Sequence, residues 1–189
     1  MKKTYCVIGK MRAGKDVVAD YICERTGGMK FPLAEPLKKL VCNLFGITMG
    51  ELDQYKNEHW KMYAFSDNQT TNLEKRNDLE ISFRSVLQKT GDSMKDFFGL
   101  DCYMKKLHEN ILRYNRDVSV IPDVRLLEEQ RWLTVHTNPI FIKVVREIEE
   151  DKDSTHRTET ETEELGHDAI IENNGTIEEL YAKIDLILK

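Results

Sequence analysis

The amino-acid sequence predicts an α/β fold, a parallel β-sheet with helices on both faces. Three observations carry this. Short runs rich in β-branched residues alternate with longer stretches of helical periodicity, the order in which strands feed crossover helices. The strand-like runs are mostly apolar, as in strands buried between two helical layers. The first run ends in a glycine-containing turn, Gly9-Lys10-Met11-Arg12-Ala13-Gly14-Lys15-Asp16, that opens directly onto a helical pattern. The chain has 189 residues, the size of one compact domain carrying an insertion.

Thr4-Tyr5-Cys6-Val7-Ile8 reads as a buried strand. The helix after Lys15 offers Val17, Val18, Tyr21 and Ile22 to a sheet and closes near Gly27-Gly28. Lys30-Phe31-Pro32-Leu33 predicts a second short strand, and Leu37, Leu40, Val41 and Leu44 then recur at helical spacing up to Gly46. Residues 48–80 are polar and weakly periodic, and only unplaced helical pieces and loops are predicted there. Phe83, Val86 and Leu87 open a helix that runs to Gly99 with a bend expected near Gly91, and a further helix covers about 102–114. Val118–Ile121, Ile140–Val145 and Ala169–Ile171 are the remaining strands. The last helix starts at a capping box, Thr176 with Glu179, and shows Ile177, Leu180, Ile184 and Ile187 on one face.

Composition bounds the function. Hydrophobic residues make up 40% and charged residues 32%, enough for a real core, and no apolar run reaches the length of a membrane span. The formal net charge of -5 gives the whole chain no electrostatic reason to hold nucleic acid or an anionic membrane. Cys6, Cys23, Cys42 and Cys102 show no paired spacing, so they read as reduced core residues in a cytoplasmic protein. The segment Glu147–Glu164 is strongly acidic and has no apolar residue after Ile148, so it is expected to be a solvated loop or lid that builds no core.

The turn at 9–16 has the G-x-x-x-x-G-K spacing of a Walker A loop. Its glycines let the backbone wrap a polyphosphate, the following helix contributes its positive dipole end, and the Lys15 ammonium reaches the terminal phosphates. Asp16 stands where a hydroxyl usually meets Mg²⁺, and a carboxylate is a good hard ligand for that ion. Asp123 follows an apolar strand, the place of a second magnesium-side acid, although an aspartate there also serves as a helix cap. Arg125 lies two residues beyond it. Arg84 and Gln88, four apart, share one helix face and suit a phosphate and a base edge, or simply solvent. Lys38 and Lys39 touch phosphate only if their helix faces a cleft. Arg146 opens the acidic segment that also contains His156 and Arg157, and cations on a closing lid would stabilise a transferring phosphoryl group.

On these residues the chain resembles the bacteriophage-type deoxynucleoside monophosphate kinases, relatives of phosphomevalonate kinase and adenylate kinase. The shared motifs are the Gly-Lys-Asp ending of the loop, Phe31-Pro-Leu-Ala-Glu-Pro-Leu-Lys38, Arg84-Ser-Val-Leu-Gln88 with Gly91, Asp123-Val-Arg125 with Glu129, and Asp168-Ala-Ile-Ile-Glu-Asn-Asn-Gly-Thr176. The resemblance implies a P-loop fold like that of adenylate kinase, with a five-stranded parallel sheet. It implies a single domain over 1–189, a substrate-binding insertion at about 34–115 and a lid at about 147–167. It implies ATP and Mg²⁺ as cofactors, dNMP as acceptor, no nucleic-acid or membrane partner, and is compatible with a homodimer. By the same resemblance Gly9–Val17 bind ATP, with Asn173 or Asn174 near its adenine, and Lys38, Arg84, Gln88 and Arg125 bind the acceptor. Asp16 and Asp123 hold the metal, and Lys15, Arg125 and Arg146 act on the transferring group.

Several positions depart from the family pattern. Val17 replaces a threonine, Leu126-Leu127-Glu128 replaces Phe-Pro-Asn, Lys95 replaces an arginine and His156-Arg157-Thr158-Glu159 replaces His-x-Ser-Glu. Two other readings stay open on the residues alone. The acceptor could be another small phosphate such as phosphomevalonate, or the chain could bind nucleotide without catalysis.

Overall fold

The structure is a computed structural model that describes residues 2–56, 59–61, 80–99, 101–147 and 157–189. The chain forms two compact units, one of Met1–Leu33 with Leu100–Lys189 and one of Ala34–Gly99.

The first unit is built on five parallel strands, β1 (Lys3–Ile8), β2 (Met29–Lys30), β5 (Val118–Ile121), β6 (Pro139–Val145) and β7 (Ala169–Glu172), in the order β2-β5-β1-β6-β7. Period-two alternation along β1 explains why both faces are covered. Tyr5 and Val7 pack with Val18, Ala19 and Ile22 of α1 (Lys15–Thr26) and with Leu180 and Ile184 of α8 (Ile177–Leu188). Cys6 and Ile8 point the other way, into a core with Met104 and Leu107 of α5 (Asp101–Tyr114) and Leu133 of α6 (Leu127–His136). Each such fully buried aliphatic side chain contributes about 1.5–3 kcal/mol. Burial pushes the Cys6 thiol far up, with the Asp168 charge adding to it, so this cysteine stays protonated and behaves as a small hydrophobe. All four cysteines are free.

Three predicted details change. The second strand is only Met29–Lys30, because the chain turns away at Phe31-Pro32 after Phe31 N–H donates to the Val120 carbonyl. Val17 is exposed rather than buried, since the inward face of α1 runs through Val18, Ala19 and Ile22. Helix α6, for which the patterning predicts no element, fills the connection between β5 and β6 with just one fully buried apolar side chain, Leu133.

The second unit contains α2 (Glu35–Phe45), α3 (Met49–Tyr55), the antiparallel pair β3 (His59–Lys61) and β4 (Glu80–Ser82), and α4 (Phe83–Phe98). Its core is Val41, Cys42, Leu52 and Phe83. Leu40 and Leu44, expected inside, are exposed, because the inward face of α2 is centred on Val41 and Cys42. Helix α4 runs unbroken past Gly91. A Cβ at that position would stand 3.1 Å from Leu37 Cδ2, so the glycine serves the close approach of α2 rather than a bend.

Candidate active site

In the five-strand order, the chain leaves β1 toward β2 and β5 on one side and occupies β6 and β7 on the other, so the carboxyl end of β1 is where connections diverge. Open α/β sheets bind ligands there. The predicted phosphate loop sits at this point, between β1 and α1. Gly9 is buried at φ 150, and a Cβ on it would run into the Val144 carbonyl oxygen of β6. Arg12 adopts a left-handed φ of 64, and Gly14 forms the N-cap of α1 at φ 98. Ala13 is buried, and its N–H donates to the Lys10 carbonyl at 3.3 Å. The Lys15 ammonium folds back onto that same carbonyl at 2.6 Å. Met11 is half-buried, while Asp16 is exposed in the first helical turn.

Helix α1 starts without a side-chain cap. Helices α3, α4 and α8 each start in a capping box, from Thr48 with Glu51, Ser82 with Ser85, and Thr176 with Glu179. A helix start lacking that acceptor suits an anion, since the first-turn N–H groups and the dipole both favour negative charge. The residues therefore fit a polyphosphate. For Mg²⁺, the hard carboxylate oxygens of Asp16 and Asp123 are the right donor type. Among the described residues no group of three or more His, Cys, Asp or Glu converges, a pattern that magnesium held largely by phosphates and water does not need.

Around the loop, Asp123 lies two residues past β5 and its carboxylate accepts from the Leu33 N–H at 2.8 Å, so it does not cap α6, whose N-cap is Leu126. Arg125 is half-buried, with its backbone well held. Its N–H and that of Leu126 donate to the buried Glu129 carboxylate at 2.9 and 3.1 Å, and its carbonyl accepts from Thr162 Oγ1 at 3.4 Å. In sequence Glu129 is only a member of the Asp-Val-Arg motif, and its spacing of one helical turn after Arg125 is the signal for this positioning role. Arg146 is exposed just past β6, and the next N–H, of Glu147, donates to Asn174 Oδ1 at 2.9 Å. Asn173 donates from Nδ2 to the Ala13 carbonyl at 2.9 Å.

The described end of the acidic segment is helical and partly held: Arg157–Glu164 forms helix α7 and Thr162 is buried, while Leu165, just beyond the segment, joins the core. A helix with almost no apolar residues docks because polar groups hold it. Leu127 N–H donates to Glu161 at 3.3 Å, and Gln130 forms paired bonds with Gly166, 2.6 Å from its Nε2 to the carbonyl and 3.0 Å from the N–H to its Oε1. The Lys10 ammonium pairs with Glu163 at 2.6 Å, which sequence reasoning missed. That hydrogen bond, then the Lys10 charge, holds the Glu163 carboxyl below its usual range.

In the second unit, Arg84 and Gln88 are both half-buried one turn apart on α4, and Arg84 N–H donates to the Lys56 carbonyl at 2.8 Å. Lys38 pairs with Asp53 at 2.9 Å and Lys39 with Glu35 at 2.6 Å. Partial burial raises the Asp53 carboxyl, but hydrogen bonding and charge from Lys38, helped by Lys56, bring it below its usual range. Of the two aromatics that the sequence offers for a base pocket in the 48–80 stretch, Tyr63 lies outside the described residues and Trp60 is described only through the backbone of β3; His156 also lies outside them.

A five-stranded parallel sheet with this loop at the end of its central strand is the architecture of the P-loop kinases. Two solved structures share the fold across nearly the whole chain. A Thermus thermophilus protein has a TM-score of 0.52 at 15% identity, covering 99% of this chain and 96% of its own. Dephospho-CoA kinase from Campylobacter jejuni has a TM-score of 0.52 at 12% identity, covering 100% and 96%. The family model of deoxynucleotide monophosphate kinase matches residues 3–88 and 47–184, and the chain belongs to this family of phosphotransferases. A protein of Acanthamoeba polyphaga mimivirus, provisionally described as a deoxynucleotide monophosphate kinase, is 28% identical over 193 residues, 94% of this chain and 92% of that protein.

Proposed function

We propose that the protein transfers the γ-phosphoryl group of ATP to a deoxynucleoside monophosphate, giving the diphosphate and ADP. The observation that supports this most is the start of α1, a glycine-capped helix N-terminus with no side-chain cap, beside a lysine already folded over the loop.

In this reading Gly9–Val17 bind the triphosphate through backbone N–H groups, and Lys15 places its charge on the β- and γ-phosphate oxygens. Asp16 and Asp123 hold Mg²⁺, which supplies Lewis-acid neutralisation of those oxygens when bound. Arg125 and Arg146 add positive charge where it develops on the equatorial oxygens, and Glu129 keeps the Arg125 backbone in place. An acceptor phosphate oxygen attacks the γ-phosphorus in line as the bond to the β,γ-bridging oxygen breaks. The protein's work is orientation and electrostatics, with no covalent enzyme intermediate. Arg84 clamps the acceptor phosphate and Gln88 reads its base, with Lys38 contributing charge. Asn174 belongs to the ATP side. The unit Ala34–Gly99 then serves the acceptor, and the segment at about 147–167 acts as the lid. Among the described residues no helix is long and apolar enough to cross a membrane.

A panel of deoxynucleoside monophosphates, ribonucleoside monophosphates and phosphorylated non-nucleotide metabolites, each supplied with ATP and Mg²⁺ and read by mass spectrometry, tests the proposal. At least one deoxynucleoside monophosphate is expected to become its diphosphate at the highest rate. Turnover confined to a non-nucleotide phosphate, or ATP binding with no acceptor turned over, would contradict it.

A further inference from the structure

We infer that Asn173 is a positioning residue of the phosphate loop, acting on the loop backbone and not on the base of the nucleotide. The inference rests on the proposed binding of polyphosphate at Gly9–Val17.

Asn173 is itself fixed. Its backbone N–H donates to the Val145 carbonyl at 2.7 Å, where β7 leaves β6, and the half-buried side chain reaches 160 residues back along the chain to the loop. Only the carboxamide nitrogen can face a carbonyl oxygen, and Nδ2 donates to Ala13 at 2.9 Å. Ala13 is buried against the core, and the next residue, Gly14, is the left-handed cap from which α1 begins. A Cβ on Gly14 would run into that same carboxamide. The peptide gripped by Asn173 therefore directly precedes the first N–H groups of α1. At the other end of the loop, Gly9 lies against the Val144 carbonyl of β6. Both glycines of the motif are thus pressed against parts of the sheet's carboxyl edge, and the loop between them has its path set before any phosphate arrives. Preorganisation of this kind lowers the ordering cost of binding.

A base contact and a loop-positioning contact make opposite predictions for a ligand with no base. Asn173→Leu keeps the shape of the side chain and removes the donor. ATP and inorganic tripolyphosphate should each bind to this variant about five- to tenfold more weakly than to the wild type, as expected for one lost hydrogen bond. The two factors should be equal, and the acceptor KM should not change. If Asn173→Leu does not fold, Asn173→Ala is read in the same two titrations. A loss confined to ATP would make Asn173 a base contact and overturn the inference, leaving the phosphate loop intact. Unchanged affinity for both ligands would overturn it too. Failure of the wild type to bind either ligand would remove the loop reading itself, and the inference with it.

Discussion

Helices α1 and α8 lie on the same face of the sheet, with Tyr21 and Tyr181 stacked at 3.8 Å and Asp185 accepting from Tyr21 and Arg25. They begin in opposite ways. Helix α8 closes its own start, Glu179 N–H donating to Thr176 Oγ1 at 3.3 Å and Thr176 N–H to the Glu179 carboxylate at 3.1 Å. Helix α1 begins at a left-handed glycine whose neighbours, Ala13 and Lys10, are held by groups from elsewhere. A capping box is worth about 1 kcal/mol to a helix. Helices α2 and α6 also start without a side-chain cap, at Ala34 and Leu126, but Pro36 opens α2 and the Glu129 and Glu161 carboxylates meet the first N–H groups of α6, so what distinguishes α1 is its left-handed glycine with a lysine folded beside it. Helix α4 belongs with α8: its start is closed by Ser82 and Ser85, so an anion near it must be met by a side chain such as Arg84.

Four substitutions would break or sharpen this contrast. Lys15→Ala is predicted to have the largest effect, lowering turnover by at least about a hundredfold while leaving the melting temperature unchanged. A coupled assay of ADP release checks it, and near-wild-type rates would contradict it. Arg84→Ala comes next, because a charged hydrogen bond is lost at a closed helix start. The acceptor KM should rise about tenfold or more with ATP affinity unchanged, and an effect on ATP alone would refute the assignment. Thr176→Ala should lower stability by about 1 kcal/mol in urea denaturation and leave kcat and both KM values as they were. The smallest effect is predicted for Glu163→Gln. Removing the carboxylate paired with Lys10 should tighten ATP binding by a few-fold at most, since exposed ion pairs are weak, and the gain should fade as salt is raised. Weaker ATP binding in this variant would show that Glu163 supports the loop and does not compete for its lysine.

Much of the first unit was legible because its signals are local. β1, β5, β6 and β7 are apolar runs, the loop is a spacing, and α8 carries its capping box in four consecutive residues. Helix α7 was not legible, because what docks it is a set of polar contacts to α6 that no hydrophobic pattern records. The β3–β4 pair was missed for a related reason, being three residues long on each side in a polar stretch. At the site, the residue types came from the motif, but their partners did not. Neither the Asn173 grip on Ala13 nor the pairing of Lys10 with Glu163 leaves a mark in local sequence, since both join distant segments only once the sheet is built. The glycines show the same division. Their presence was read as room for phosphate, whereas the structure shows each also pressed against the sheet's edge, at Val144 and at Asn173.

The most direct test of the account is a crystal structure with a non-hydrolysable ATP analogue and Mg²⁺. The account predicts the β- and γ-phosphates within hydrogen-bonding distance of the backbone N–H groups that open α1, with the Lys15 ammonium moved from the Lys10 carbonyl onto their oxygens. A loop left empty by the analogue, with Lys15 still donating to Lys10, would contradict it.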